Sequence, residues 1–195
     1  MASTNPGKLR ELHALLQDVS AEFVTPWLIG LHLEVREDGR TYAENATKKA
    51  VAYARASGLL TLADDSGLEV EALGGAPGLH SARYAPQPNA TDAGRRAYLL
   101  QQLQDHPRPW LAQFRCAFAI ALPDGEVYFT EGICQGEIIS QERGEHGFGY
   151  DPIFLLPQYG RTMAELSMEE KNLISHRARA VRAALPLLLD LIARL

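Results

Sequence analysis

Two adjacent carboxylates, Asp64 and Asp65, followed by Ser66-Gly67-Leu68, are the residues of this chain best suited to chemistry. They come directly after Leu59-Leu60-Thr61-Leu62-Ala63, a short run that reads as a buried strand. Two carboxylates at the end of such a strand repel each other and lose hydration. A hydrogen-bond network, a basic partner or a cation must offset that cost. Gly67 lets the backbone turn sharply there. Glu37, in the loop before the preceding helix, is a natural companion. Together the three carboxylates would make an oxygen-rich site suited to Mg2+ with retained waters. For Glu37 alone, simple solvation is the easier reading. For the adjacent aspartates the alternatives are an Asx-turn or a helix cap.

Three further segments could contribute. Ser3-Thr4-Asn5-Pro6-Gly7-Lys8 combines hydroxyls, an amide, a helix start and a lysine. Free backbone N–H groups there attract an anion, and Lys8 adds a full charge. Any capped helix start shares these features, and the pattern is not a Walker A loop. Gly147-Phe148-Gly149-Tyr150-Asp151-Pro152 is a glycine-flanked aromatic turn. A flat ligand could approach its backbone and stack on Phe148, or the turn could simply anchor a core aromatic. Lys171 and Ser175 share a helical face, and His176-Arg177 follow with hydrogen-bond donors suited to a carbonyl. A basic solvent face, or pairing with Glu169 and Glu170, is the alternative there. The remaining histidines lack metal-ligand spacing, and no G-x-S-x-G elbow exists.

The elements that must position these residues can be read from periodicity and caps. Asn5 and Pro6 open a first helix with Leu9, Leu12, Leu15 and Leu16 on one face. Residues 26–39 read as a loop with a short strand. Thr41-Tyr42-Ala43-Glu44 is a capping box, so a helix should run to Gly58. Residues 91–104 look helical. Phe114 to Leu122 and Val127 to Cys134 read as a hairpin about Pro123-Asp124-Gly125. Ser167 begins another capping box, and a last helix from Ser175 should kink or restart at Pro186. The expected class is α/β or α+β with a mixed sheet.

Bulk properties bound the function. The chain has 195 residues, 46% hydrophobic, with a net charge of −5, which suits one domain with a real core, or a core plus a small lobe. Lysine and arginine are dispersed, so a broad nucleic-acid footprint is not expected, although a few basic residues could hold a small polyanion. No apolar run approaches the ~20 residues that span a bilayer, and no N-terminal signal pattern is seen. Cys116 and Cys134 lack CxxC spacing, which suits reduced thiols in a cytoplasm.

Taken together and in order, five segments resemble the non-canonical purine nucleoside triphosphate pyrophosphatases, also called inosine triphosphate pyrophosphatases. They are residues 2–8, Tyr42-Ala43-Glu44-Asn45-Ala46, residues 63–70 with 74–84, Gly147 to Phe154, and Ala164 to Arg177. The resemblance implies one two-lobed α/β domain over 1–195, with a long mixed β-sheet flanked by helices and the active-site cleft between lobes. It implies a homodimer and Mg2+-dependent hydrolysis of ITP, dITP or XTP to the monophosphate and pyrophosphate. By the same resemblance Asp65 is the catalytic base and a metal ligand, and Glu37 the second metal carboxylate. Ser3, Thr4, Asn5, Pro6, Gly7 and Lys8 match the triphosphate turn, and Ser66 a substrate contact. Phe148, Gly149, Tyr150, Asp151 and Lys171 match the nucleotide-binding loop and lysine. His176 and Arg177 match the pair that reads the purine 6-oxo group. A pyrophosphatase for other modified nucleotides and a non-catalytic nucleotide sensor are the competing readings. Asp64 is left open between supporting the site and sharing the metal.

Overall fold

The computed structural model describes residues 1–194. Among the described residues, five α-helices and five strands alternate with short 3-10 turns. The helices are α1 Pro6–Leu15, α2 Tyr42–Ser57, α3 Asp92–Leu103, α4 Met168–Ile174 and α5 His176–Ala193. The strands are β1 Thr61–Val70, β2 Trp110–Ala121, β3 Val127–Ile138, β4 Phe154–Leu156 and β5 Arg161–Thr162. They form one antiparallel α/β sheet in the order β1-β2-β3-β4-β5. Among the described residues, no helix is long and apolar enough to cross a membrane.

Caps explain most helix boundaries. Asn5 Oδ1 accepts from Lys8 N at 3.1 Å, and Thr41 Oγ1 accepts from Glu44 N at 3.1 Å. Gly58 ends α2 in the left-handed conformation, at φ 70°. Ser167 and Glu170 form the expected reciprocal box at α4. Pro186 neither stops nor restarts α5. It lies on the exposed side of that helix, where the carbonyl it leaves unbonded can face water.

Three expectations need correction. The sheet is antiparallel rather than mixed. Residues 26–39 contain a 3-10 turn at Pro26–Ile29 and no strand. The acidic pair is not in a turn after a strand. β1 runs straight through Asp64, Asp65, Ser66 and Gly67 to Val70. Neighbours in a strand point to opposite faces, so the two carboxylates turn to opposite sides of the sheet, Asp64 toward Arg177 and Asp65 toward Asn45.

The chain divides into two compact units. The first takes Met1–Asp65, Cys116–Gly132 and the residues from His176 onward. Its core joins Leu12 of α1, Leu16 just after it, Leu62 of β1, Phe118 and Ile120 of β2, and Ala180, Val181, Ala184 and Leu188 of α5. Every residue of β1 from Thr61 to Asp65 and of β2 from Cys116 to Ala121 is buried, as in strands covered on both faces. Gly132 of β3 lets the strand touch α5 backbone to backbone: a Cβ there would lie 2.1 Å from His176 O.

The second unit takes Ser66–Arg115 and Ile133–Ser175. Its core gathers Leu68, Val70, Leu99, Leu103, Phe114, Phe154 and Leu166, with the Phe114 and Phe154 rings 4.5 Å apart. Here β2 alternates buried and more exposed residues from Trp110 to Arg115, the pattern of a sheet covered on one face. β4 pairs antiparallel with β3 (Ile138 with Phe154) and with β5 (Leu156 with Arg161).

Candidate active site

In the first unit, the two faces of β1 produce two different carboxylates. Asp64 lies on the face with Leu62, toward α1 and α5. Arg177 Nε and Nη2 reach its Oδ2 at 3.1 and 3.0 Å, and Lys8 Nζ reaches the same oxygen at 3.1 Å. The Cys116 thiol is 4.0 Å from that oxygen. Arg177 also binds Glu11 of α1 through Nη1. Asp64, Glu11 and Arg177 are each 1% exposed. Asp64 Oδ1, equally buried, has no hydrogen-bond partner among the described residues.

Asp65 lies on the α2 face. Asn45 Nδ2 donates to its Oδ2 at 2.9 Å, and Asn45 Oδ1 accepts from Gly39 N at 2.7 Å. One amide therefore ties Asp65 to the loop that carries Glu37. Lys49, one helical turn beyond Asn45, binds Glu37.

These surroundings push the two acids apart. Burial alone would raise the Asp64 pKa, but Lys8, Arg177 and Lys49 outweigh it and hold the carboxyl well below the usual range. Asp65 moves the other way. Its burial raises the pKa and the Glu37 charge adds to that, against Lys8, the Asn45 amide and Lys49. Asp64 is thus a fixed anion engaged with cations. Asp65 is the more basic of the two and the better proton acceptor. The same environment pushes the Cys116 thiol up to about 12, chiefly through burial, so it is no nucleophile.

In the second unit, the Phe148–Asp151 turn is built around one carboxylate. Asp151 Oδ2 accepts from Phe148 N at 2.9 Å and binds Lys171 Nζ. The ammonium lies 5.1 Å from the Phe148 ring centroid, within cation–π range. Gly147 is required for this packing: at φ 75° a Cβ would stand 2.0 Å from Asp151 Oδ2. Tyr150 Oη donates to Ser81 O at 2.9 Å, and Ser81 Oγ accepts from Leu68 N at 2.9 Å. The turn is thereby fastened to the 78–83 segment and to β1.

The chain can now be set beside known proteins. The Ham1 family model matches residues 1–187. A dITP/XTP pyrophosphatase from Desulforamulus reducens is 48% identical, covering 96% of this chain and 94% of that protein. A dITP/XTP pyrophosphatase from Thermus thermophilus is 45% identical over 95% of this chain and 88% of its own length. The solved Ham1 protein of Coxiella burnetii superposes with a TM-score of 0.87 at 41% identity, covering 97% of this chain and 96% of that one. The chain belongs to the Ham1 family.

Of the residues that the sequence singles out in this Ham1 chain, the first unit brings Lys8, Asp64 and Arg177 into direct contact. Glu37 and Asp65 lie close enough for the charge of one to raise the pKa of the other. Ser3 and Thr4 line a surface groove with Leu9, Trp27 and Tyr53. His176 is buried at the start of α5. The second unit joins Phe148, Asp151 and Lys171, and holds Ser66 half-buried in β1. Among the described residues no three His, Cys, Asp or Glu side chains converge into a metal cage. Mg2+ does not ask for one. It is held by one or two carboxylates plus waters and phosphates, and Glu37 with Asp65 fit that requirement.

Lys49 and Glu11, and the contact of Asn45 with Asp65, are features beside the candidate site that the matched segments did not assign. Their signal is helical spacing. Asn45 and Lys49 stand four apart on α2, and Glu11 stands three after Lys8 on α1, each as a polar residue beside an apolar stripe.

Proposed function

We propose that the chain hydrolyses non-canonical purine nucleoside triphosphates such as dITP, ITP and XTP to the monophosphate and pyrophosphate. The observation that carries this reading is the split between Asp64, a fixed anion among cations, and Asp65, a basic carboxylate beside Glu37. The names of the D. reducens and T. thermophilus relatives support the substrate class.

In this reading water adds to the α-phosphorus and gives its proton to Asp65, while the bond to the bridging oxygen of the β-phosphate breaks. Glu37 and Asp65 would hold Mg2+, which supplies charge withdrawal at the phosphates. Lys8 and the backbone of Ser3 to Gly7 at the start of α1 hold the phosphate chain. Phe148 stacks on the base, with Gly149, Tyr150, Asp151 and Lys171 forming the rest of its turn, and Ser66 contacts the nucleotide. His176 and Arg177 donate to the purine 6-oxo group, Arg177 being fixed in one orientation by Asp64 and Glu11. An adenine amino group would leave such donors unpaired, a mismatch that can reach about 10⁴-fold in rate. Two buried cysteines that form no disulfide among the described residues fit a reducing, cytoplasmic setting. The proposal includes a homodimer, which sedimentation at working concentration decides.

The deciding experiment measures pyrophosphate release from ITP, dITP, XTP, dATP and dGTP, with Mg2+ and after its removal by chelator. Fast release from the first three in Mg2+ is expected. No release from any would end the catalytic reading, and dGTP as fast as dITP would end the selectivity.

A further inference from the structure

Gly149, in the middle of the Phe148–Asp151 turn, is gripped at both of its backbone polar groups by one helix. Its N–H donates to Asp92 Oδ2 at 2.7 Å, and its carbonyl accepts from Arg96 Nη1 at 2.8 Å. Asp92 and Arg96 stand four apart on α3, so they share one face of that helix. From this grip we infer that Asp92 and Arg96 are positioning residues that set the base discrimination of the turn, an inference resting on the proposed role of Phe148 in stacking the purine.

Both residues are themselves held. Arg96 Nε and Nη2 meet Glu142 Oε1 and Oε2 at 2.9 and 2.8 Å, a two-pronged contact that fixes the guanidinium plane. Asp92 binds Arg95 through its other oxygen. Neither residue is consumed by helix formation, because Thr91 caps α3 through Gly94 N. The Asp92 and Glu142 carboxylates are 40 and 46% exposed, which limits what their ion pairs add to stability. What they fix is position. Asp151 anchors the Phe148 end of the turn, and α3 anchors the Gly149 end, at φ 62°. No atom stands within 4 Å of where a Gly149 Cβ would be, so this peptide is backed by α3 and open on its side-chain side. A flat ligand can approach there. Asp92 and Arg96 lie outside every segment that carries the family resemblance.

The test compares Asp92→Ala and Arg96→Met with Asp92→Asn and Arg96→Lys. Asp92→Asn keeps an acceptor oxygen for the Gly149 N–H, and Arg96→Lys keeps a charged donor. For each, dITP and dGTP kinetics, thermal unfolding, and competitive inhibition by inorganic tripolyphosphate, a probe without a base, are measured. A loosened turn should raise KM for dITP about tenfold while kcat falls less than about threefold. The dITP-over-dGTP ratio of kcat/KM should fall about tenfold. Tripolyphosphate inhibition should hold, and the Asn and Lys variants should recover most of the loss. Wild-type KM and selectivity in Asp92→Ala and Arg96→Met would overturn the inference while leaving the proposed function standing. Equal losses in kcat and tripolyphosphate affinity, with no recovery in the Asn and Lys variants, would also overturn it. A wild type that neither turns over nor binds dITP would remove the proposed function and this inference together.

Discussion

Arg177 places Nε at 3.1 Å and Nη2 at 3.0 Å from one oxygen of Asp64, while its Nη1 binds Glu11. With Lys8 at 3.1 Å, two anions and two cations balance inside the first unit. Removing one member leaves buried charges unbalanced. Removing one partner of a buried pair costs about 3–5 kcal/mol, because the charge left behind stays desolvated and unbalanced. Arg177→Met should therefore lower unfolding stability by about that amount in urea titrations. A loss under about 1 kcal/mol would mean that the pair is solvated.

Asp64 also gives a pH signature. Its folded pKa lies below its unfolded value, so its contribution is fully present above the ordinary carboxylate pKa of about 3.9. The contribution is lost as pH falls through the lower folded value. Asp64→Asn removes it at every pH and leaves Arg177 and Lys8 short of an anion. Wild type should be clearly more stable than Asp64→Asn at neutral pH, and the gap should narrow only below about pH 4. Denaturation midpoints measured across that range check the sign. A gap that closes between pH 5 and 7 would contradict it.

Much of this arrangement was legible in the chain. Asn5, Thr41, Gly58 and Ser167 cap the helices as their types require. The hairpin appears where Pro123-Asp124-Gly125 places it, with strands reaching four residues further at each outer end, to Trp110 and Ile138. The course of β1 was not legible. Asp, Ser and Gly are poor strand residues, and only tertiary partners such as Arg177, Lys8 and Asn45 make an extended Asp64-Asp65 tolerable. The same blind spot hid Glu11 and the partner of Asn45. A buried polar residue is recognised by its partner, and those partners lie 166 and 20 residues away in the chain.

Asn45 links the two proposed metal carboxylates. It donates to Asp65 and accepts from Gly39, two residues after Glu37. Asn45→Ala should release the Glu37 loop and leave the Asp65 oxygen without its amide. Outer partners of metal carboxylates typically matter by about 10–100-fold in activity or metal affinity. The half-saturating Mg2+ concentration for pyrophosphate release should rise accordingly. A variant with wild-type Mg2+ dependence would assign Asn45 to packing alone.

Gly147 tests the other unit. A methyl group there meets Asp151 Oδ2 at 2.0 Å, in a conformation (φ 75°) that costs other residues about 1–2 kcal/mol. Gly147→Ala should displace the Asp151 carboxylate from Phe148 N and from Lys171. Nucleotide affinity should then fall more than stability does. Equilibrium titration with inosine monophosphate, run beside thermal unfolding, separates the two. Unchanged affinity would show that the turn tolerates the displacement.

Asp65→Asn is the most direct test of the division between the acids. The substitution keeps size and an acceptor oxygen for the Asn45 amide, and removes the carboxylate charge that serves both as proposed base and as one proposed Mg2+ ligand, so kcat is read at saturating Mg2+. If Asp65 accepts the proton of the attacking water, kcat should fall by about 10²–10⁴-fold. KM for dITP should stay within a few-fold, since Lys8 and the Phe148 turn remain in place. Asp64→Asn should look different. Freed from Asp64, Lys8 and Arg177 lose a fixed position, so affinity and stability suffer along with rate. Near-normal turnover in Asp65→Asn would transfer the base to another group. Asp64 would be a poor candidate even then, because the cations that bind it keep it among the weakest proton acceptors of the site.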